Sequence, residues 1–158
     1  MRIRLTIQGE ETLSGLTSYF LRRVIRESLK RSFPRIFRPN RTVILDVACV
    51  SDTEIAKLNG DYRQKAMPTD ILSFGHFDES AAIQRVPKRG VIDLGQIVLS
   101  PAFITRSAVE DGVSWKREFT YVFSHGVLHL VGFDHEEQMF RIQDAVTDAL
   151  APLERKRE

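Results

Sequence analysis

The chain has 158 residues, 42% of them apolar and 28% charged, the composition of one soluble domain of about 100 to 200 residues with a genuine core. Its 23 Lys plus Arg nearly balance 21 Asp plus Glu, and a net charge of +2 excludes both an acidic disordered segment and a polycation that holds nucleic acid by bulk charge. The lone Cys49 can form no intramolecular disulfide, which points to a reducing cytoplasm, and no run approaches the roughly 18 apolar residues of a membrane span.

From Arg2 to Ile7, apolar Ile3, Leu5 and Ile7 alternate with charged or polar residues. This is the period-two pattern of a half-buried strand, not the continuous apolar stretch of a secretory leader. Leu13, Leu16, Phe20, Val24 and Leu29 then recur at helical spacing, predicting a helix over 13–32 that Pro34 prevents from continuing. The β-branched run 43–50 reads as a buried strand carrying Cys49 as a small core hydrophobe. Ser51-Asp52-Thr53-Glu54 has capping-box spacing and opens a helix over about 52–62.

Pro68-Thr69-Asp70 punctuates the chain before a short strand, 71–74, and a charged loop over about 75–90. A strand follows over 91–99. Ser100-Pro101 then supplies an N-cap with proline at the first helical position, and Gly112 closes that helix. Ser114 caps a helix whose apolar Trp115, Phe119, Val122, Phe123 and Val127 lead to Gly132, a C-terminal glycine. The last helix covers about 136–150, with Met139, Ile142, Val146 and Ala149 on one face. Strands and helices mix early and helices dominate late. The expected fold is α+β: a single domain over 1–158 with a small, mostly parallel mixed sheet of about four strands packed with about five helices.

Charge is unevenly placed. Residues 1–41 hold ten Lys or Arg against three acids, a local charge of +7 that leaves −5 for the remainder. A solvated helix face and a phosphate-contacting surface both account for this basic portion.

Three of the four histidines, His125, His129 and His135, fall within eleven residues. His125 and His129 lie four apart on one face of a predicted helix, about 5 to 6 Å from each other, and Gly132 lets the chain turn so that His135 can approach from the loop. Three neutral nitrogen donors make a site for a divalent metal, with zinc the leading candidate. A structural tetrahedral site needs a fourth protein ligand, usually Cys, and Cys49 sits mid-strand far away in sequence, so the three histidines leave a position for water. Such an ion lowers the pKa of water from about 15.7 toward about 7, which makes hydrolysis the natural reaction class. A zinc peptidase with H-E-x-x-H would carry a glutamate where this chain has Gly126.

The stretch from His125 to His135, HGVLHLVGFDH, resembles the H-G-x-L-H-L-x-G-x-D-H signature of the YbeY endoribonucleases, bacterial factors in ribosomal RNA maturation. Leu58-Asn59, Tyr62-Arg63, the segment Pro68 to Phe74 and the segment Leu94 to Ser100 extend the resemblance over about residues 43–150. It implies metal ligation by His125, His129 and His135, catalytic roles for Arg63, His125 and His129, and substrate binding by Arg63. A guanidinium suits the last role, because its planar fork of N–H groups stays charged and matches phosphate oxygens; a surface salt bridge is the other role open to it. Asp70 can either orient a metal-binding imidazole or cap a turn. Gln96, Ala66 and Gly75 depart from the family pattern, the first by lacking an acid, and His76 reads as a surface histidine of the loop.

The resemblance implies a metal-dependent, single-strand-specific endoribonuclease of ribosomal RNA maturation, including 16S 3′ end processing, and of ribosome quality control. It also implies a cytoplasmic location, one zinc per chain, ribosomal RNA and ribosomal particles as partners, a ribosomal protein or GTPase as a further partner, and no membrane. Two rivals are a non-catalytic ribosome-assembly factor with a structural metal and a zinc metalloprotease.

Overall fold

In the computed structural model, which describes residues 1–154, four strands form one mixed sheet. They are β1 (Arg2–Gln8), β2 (Arg41–Cys49), β3 (Ile71–Phe74) and β4 (Gly90–Leu99), in the order β1-β2-β4-β3. The β1–β2 and β2–β4 pairs are parallel and β3 runs antiparallel to β4, so the sheet is mostly parallel as expected. Alternation assigns its faces. Val43, Leu45 and Val47 of β2 are buried on one side while Asp46 is exposed on the other, where the Thr6 hydroxyl donates to its carboxylate.

Six helices surround the sheet among the described residues: α1 (Ser18–Ser32), α2 (Asp52–Arg63), α3 (Ser80–Gln84), α4 (Pro101–Asp111), α5 (Trp115–Leu130) and α6 (Glu137–Leu150). The main core joins the Val43, Leu45 and Val47 face to α1, α4, α5 and α6, with Phe119, Phe123, Leu21 and Ile25 fully enclosed. A smaller cluster lies on the opposite face, where Ile55 of α2 meets Leu72 and Val98. Cys49 is partly buried and packs against the core, and this burial pushes the thiol pKa up to about 11, which suits an inert group.

The expected caps form. Ser51, Ser100 and Ser114 accept from the backbone N–H groups of Glu54, Phe103 and Arg117. Two expectations are corrected. Helix α1 begins at Ser18, not Leu13, because the chain turns at Ser14 and Gly15 with positive φ, and Thr17 then caps the helix by accepting from Phe20. Leu13 is fully buried all the same, so its helical spacing arises from a turn folded onto the core. Within the stretch read as a loop over 75–90, α3 is anchored by Ile83, 1% exposed; five residues are too few to show a helical period.

Helix α5 lies against β3 at Gly126. A Cβ there would come 2.3 Å from Ile71 Cδ1, and the Ser73 hydroxyl donates to the Gly126 carbonyl at 3.2 Å. Glycine at this point lets the Ile71 and Ser73 side chains of β3 pack directly on the α5 backbone, which sets the position of the histidines on either side of it.

Candidate metal centre

Helix α5 carries its core residues on one side, while Tyr121, His125 and His129, each four residues after the last, line an open cleft of about 330 Å³. After α5, Gly132 adopts φ 91 and the Phe133 amide bonds back to the Leu128 carbonyl, turning the chain so that His135 faces the helix. The ring centroids of His125, His129 and His135 stand 4.4, 5.1 and 4.8 Å apart in pairs. One ligand atom from each lies within 4.8 Å of the others.

Two of these rings have defined tautomers. His129 Nδ1 stands 2.8 Å from the Phe133 carbonyl, which can only accept, so Nδ1 carries the proton. His125 Nδ1 stands 3.2 Å from Oε1 of Gln143, a residue of α6 that is 1% exposed, and the Gln143 amide nitrogen donates to the Tyr121 carbonyl at 2.9 Å. That last bond fixes the orientation of the Gln143 amide, so its oxygen faces His125 and accepts. Both Nε2 atoms therefore carry lone pairs, and they face each other 2.9 Å apart. Burial pushes both imidazoles below their usual pKa, reinforced at His129 by neighbouring His125, which favours the neutral form of each ring.

Two facing lone pairs repel unless a cation lies between them. Zinc–nitrogen bonds of about 2.0 to 2.1 Å in tetrahedral geometry put two ligand nitrogens about 3.3 Å apart, a few tenths of an ångström wider than here. The donor set fits a divalent ion, which His125, His129 and His135 could hold together.

Arg63, at the exposed end of α2, lines the same cleft, as do Thr69, Asp70, Ile71, Ser73 and Phe140. Among the described residues no carboxylate lies within ion-pair distance of Arg63. Burial pushes the Asp70 carboxyl above the usual carboxylate range. The ring-orienting bonds come from Gln143 and the Phe133 carbonyl, and the Asp70 side chain bonds locally with Thr69. His76 is a surface residue 3.6 Å from Asp93, and Gln96 is exposed opposite Phe74 of β3; neither lines the cleft.

Residues 8–151 match the family model described as Endoribonuclease YbeY. The chain is 39% identical over 120 residues to the endoribonuclease YbeY of Mycoplasmopsis synoviae, covering 75% of each chain. It is 38% identical over 105 residues to that of a Synechococcus strain, covering 66% of this chain and 61% of that one. This chain belongs to the endoribonuclease YbeY family. A Thermotoga maritima protein solved in solution shares the fold, with a TM-score of 0.57 and 27% identity over 93% of this chain and 89% of that one.

The family signature acquires a physical reading here. Its first and second histidines are the two tautomer-fixed donors, its glycine after the first histidine is the close approach of α5 to β3, and its later glycine is the φ 91 turn. The Gly126 position that separates the family from H-E-x-x-H peptidases has no room for a glutamate side chain while Ile71 stays in place. Reading the sequence missed Gln143, 18 residues from His125; its only signal is a polar residue beside Ile142 and Val146 on the apolar face of the last helix. Tyr121 was legible in principle, four residues before His125.

Proposed function

We propose that the chain is a metal-dependent endoribonuclease, specific for single strands, that acts in ribosomal RNA maturation, including 16S 3′ end processing, and in ribosome quality control. The facing lone pairs of His125 and His129 carry this reading, together with membership of a family whose relatives are named endoribonucleases. His125, His129 and His135 hold one ion, and zinc is the ion that three imidazoles with an open position suit best. When bound, it supplies an activated water at neutral pH and a Lewis acid for a phosphoryl oxygen. Gln143 and the Phe133 carbonyl keep two ligand rings in the donor tautomer. Arg63, which lacks a carboxylate partner among the described residues, neutralises the scissile phosphate from the cleft wall.

Residues 1–158 act as one catalytic unit in this reading, and the basic portion over 1–41 holds RNA backbone, so binding weakens steeply with salt. Ribosomal RNA and ribosomal particles are the proposed partners, with a ribosomal protein or a GTPase as a further one, and the cytoplasm is the proposed compartment. None of the described helices is long and apolar enough to cross a membrane.

The deciding experiment is cleavage of a ribosomal RNA fragment by wild-type and His129→Ala protein purified side by side. Cleavage by the wild type alone is expected, at least about a hundredfold above the variant, with the variant still folded by circular dichroism. Equal cleavage by both exposes a contaminating nuclease and leaves the histidines as a structural staple of an assembly factor.

A further inference from the structure

The structure contains a second polar site, at the other end of the long strands. Arg41 opens β2, paired with Gly90 at the start of β4, and is only 4% exposed. One of its terminal nitrogens donates to the Pro87 carbonyl, but its Nε–H is buried with no acceptor. Burying a cation with unpaired N–H groups is costly, and proteins ordinarily supply a carboxylate. Among the described residues none lies within ion-pair distance of Arg41.

Arg41 lines a pocket of about 380 Å³ formed where the α1–β2 connection meets the segment after α3. Its rim carries Arg35, Arg38 and Lys88, and no acidic residue lines it. An adjoining hollow of about 280 Å³ shares Arg38 and Lys88 and adds Arg89. The pocket wall is apolar at Phe33, Ile36 and Ile83. Phe33 in turn packs edge-on against Phe133 with centroids 6.1 Å apart, and the Phe133 carbonyl accepts from His129. The pocket wall and the histidine turn therefore adjoin.

We propose that this pocket is a phosphate-binding subsite that holds the RNA backbone away from the scissile bond. The rim cations Arg35, Arg38 and Lys88 supply the charge that a phosphate needs, the buried Arg41 adds a positive charge beneath them, and the apolar wall suits a ribose or base. Rim and buried residue come from two chain segments, 35–41 and 88–89, that only the fold brings together. The subsite divides the basic portion of the sequence: Arg35, Arg38 and Arg41 bind phosphate here, whereas Arg22 donates to the Ser18 hydroxyl and Arg31 pairs with Glu27. The identity of the ligand as RNA rests on the function proposed above; the demand for an anion does not.

The test is binding of a fluorescent single-stranded RNA of about twelve nucleotides to metal-stripped full-length protein, which reads affinity whether or not the protein cleaves. Arg38→Gln/Lys88→Gln, which leaves Arg41 and the core intact, and Arg41→Met are compared with wild type across a salt series. About a tenfold loss of affinity is expected for each, with the slope of log K against log salt shallower by about 0.7 for each phosphate that is no longer neutralised. Unchanged affinity and slope in the double variant, folded by circular dichroism, overturns the proposal; if Arg41→Met fails to fold, the double variant alone decides. Inorganic phosphate supplies the other arm: if it raises the wild-type Tm and not that of the double variant while RNA affinity is the same in both, the pocket serves a free phosphate and the RNA assignment falls.

Discussion

The histidine cleft and the Arg41 pocket are opposite in sign and in construction. In the cleft, two rings whose Nδ1 protons are already donated present lone pairs to each other at 2.9 Å, an arrangement that calls for a cation. In the pocket, a buried guanidinium lies beside Arg35, Arg38 and Lys88 with no acidic residue in the lining, which suits an anion. The cleft is built on regular elements, with α5 seated on β3 at Gly126 and α6 holding Gln143. The pocket is built from connections, the turn after α1 and the chain after α3. A metal site needs its donors placed to within tenths of an ångström, which helices pressed together provide. A phosphate bound by several long cationic side chains tolerates looser walls.

The largest change expected on the cleft side comes from Gln143→Leu, which keeps the volume and removes the acceptor that fixes His125. Zinc affinity should fall about 10- to 100-fold, measured by chelator competition, while the salt dependence of RNA binding stays as in wild type. A parallel loss of RNA binding would show that the two sites are not independent. Arg63→Gln comes next, because Arg63 is a phosphate-type residue within the metal cleft. Its removal should lower kcat/KM on RNA by about tenfold or more and leave metal content at the wild-type level. A fall in bound metal instead would assign Arg63 to the architecture of the site.

Gly126→Ala tests the seam that makes the cleft rigid. The added methyl meets Ile71 Cδ1 at 2.3 Å, so overpacking should cost about 1 to 3 kcal/mol, read as a lowered Tm, and Ile71→Val in the same chain should restore part of it. The smallest effect concerns Glu118, seven residues before His125 on α5. Burial and the neighbouring Asp111 carboxyl push its pKa up to about 7. A carboxyl raised in the folded state contributes stability below its unfolded pKa and loses it as pH rises through the folded one. Wild type should therefore lose stability between about pH 4.5 and 7, and Glu118→Gln should flatten that profile and raise Tm at pH 8 by about 3 °C. That shift is about 1 kcal/mol once solvent screening of a half-exposed group is allowed for.

Much of this molecule was legible in one dimension wherever the deciding forces act between near neighbours. Ser51, Ser100 and Ser114 cap helices because each bonds an amide three residues on, alternation along 2–7 records which side of that strand faces the core, and the β-branched run 43–50 marks a buried strand. The His125/His129 pair is likewise local, since helical pitch alone puts residues four apart on one face. The start of helix α1 is not legible this way because Leu13 is buried by a turn that mimics helical spacing, and α3 is hidden because a single Ile83 holds it.

Other features are long-range and required the folded chain. The sheet order β1-β2-β4-β3, the reach of Gln143 from α6 to His125, and the meeting of Arg41 with Lys88 join residues far apart in the chain. No spacing rule encodes such contacts, because they depend on which elements share a face of the sheet. The sequence by itself determined that three histidines gather around one turn. The tertiary structure decided which ring nitrogens face each other in the cleft and which cations gather around the pocket, and therefore that the first suits a cation and the second an anion.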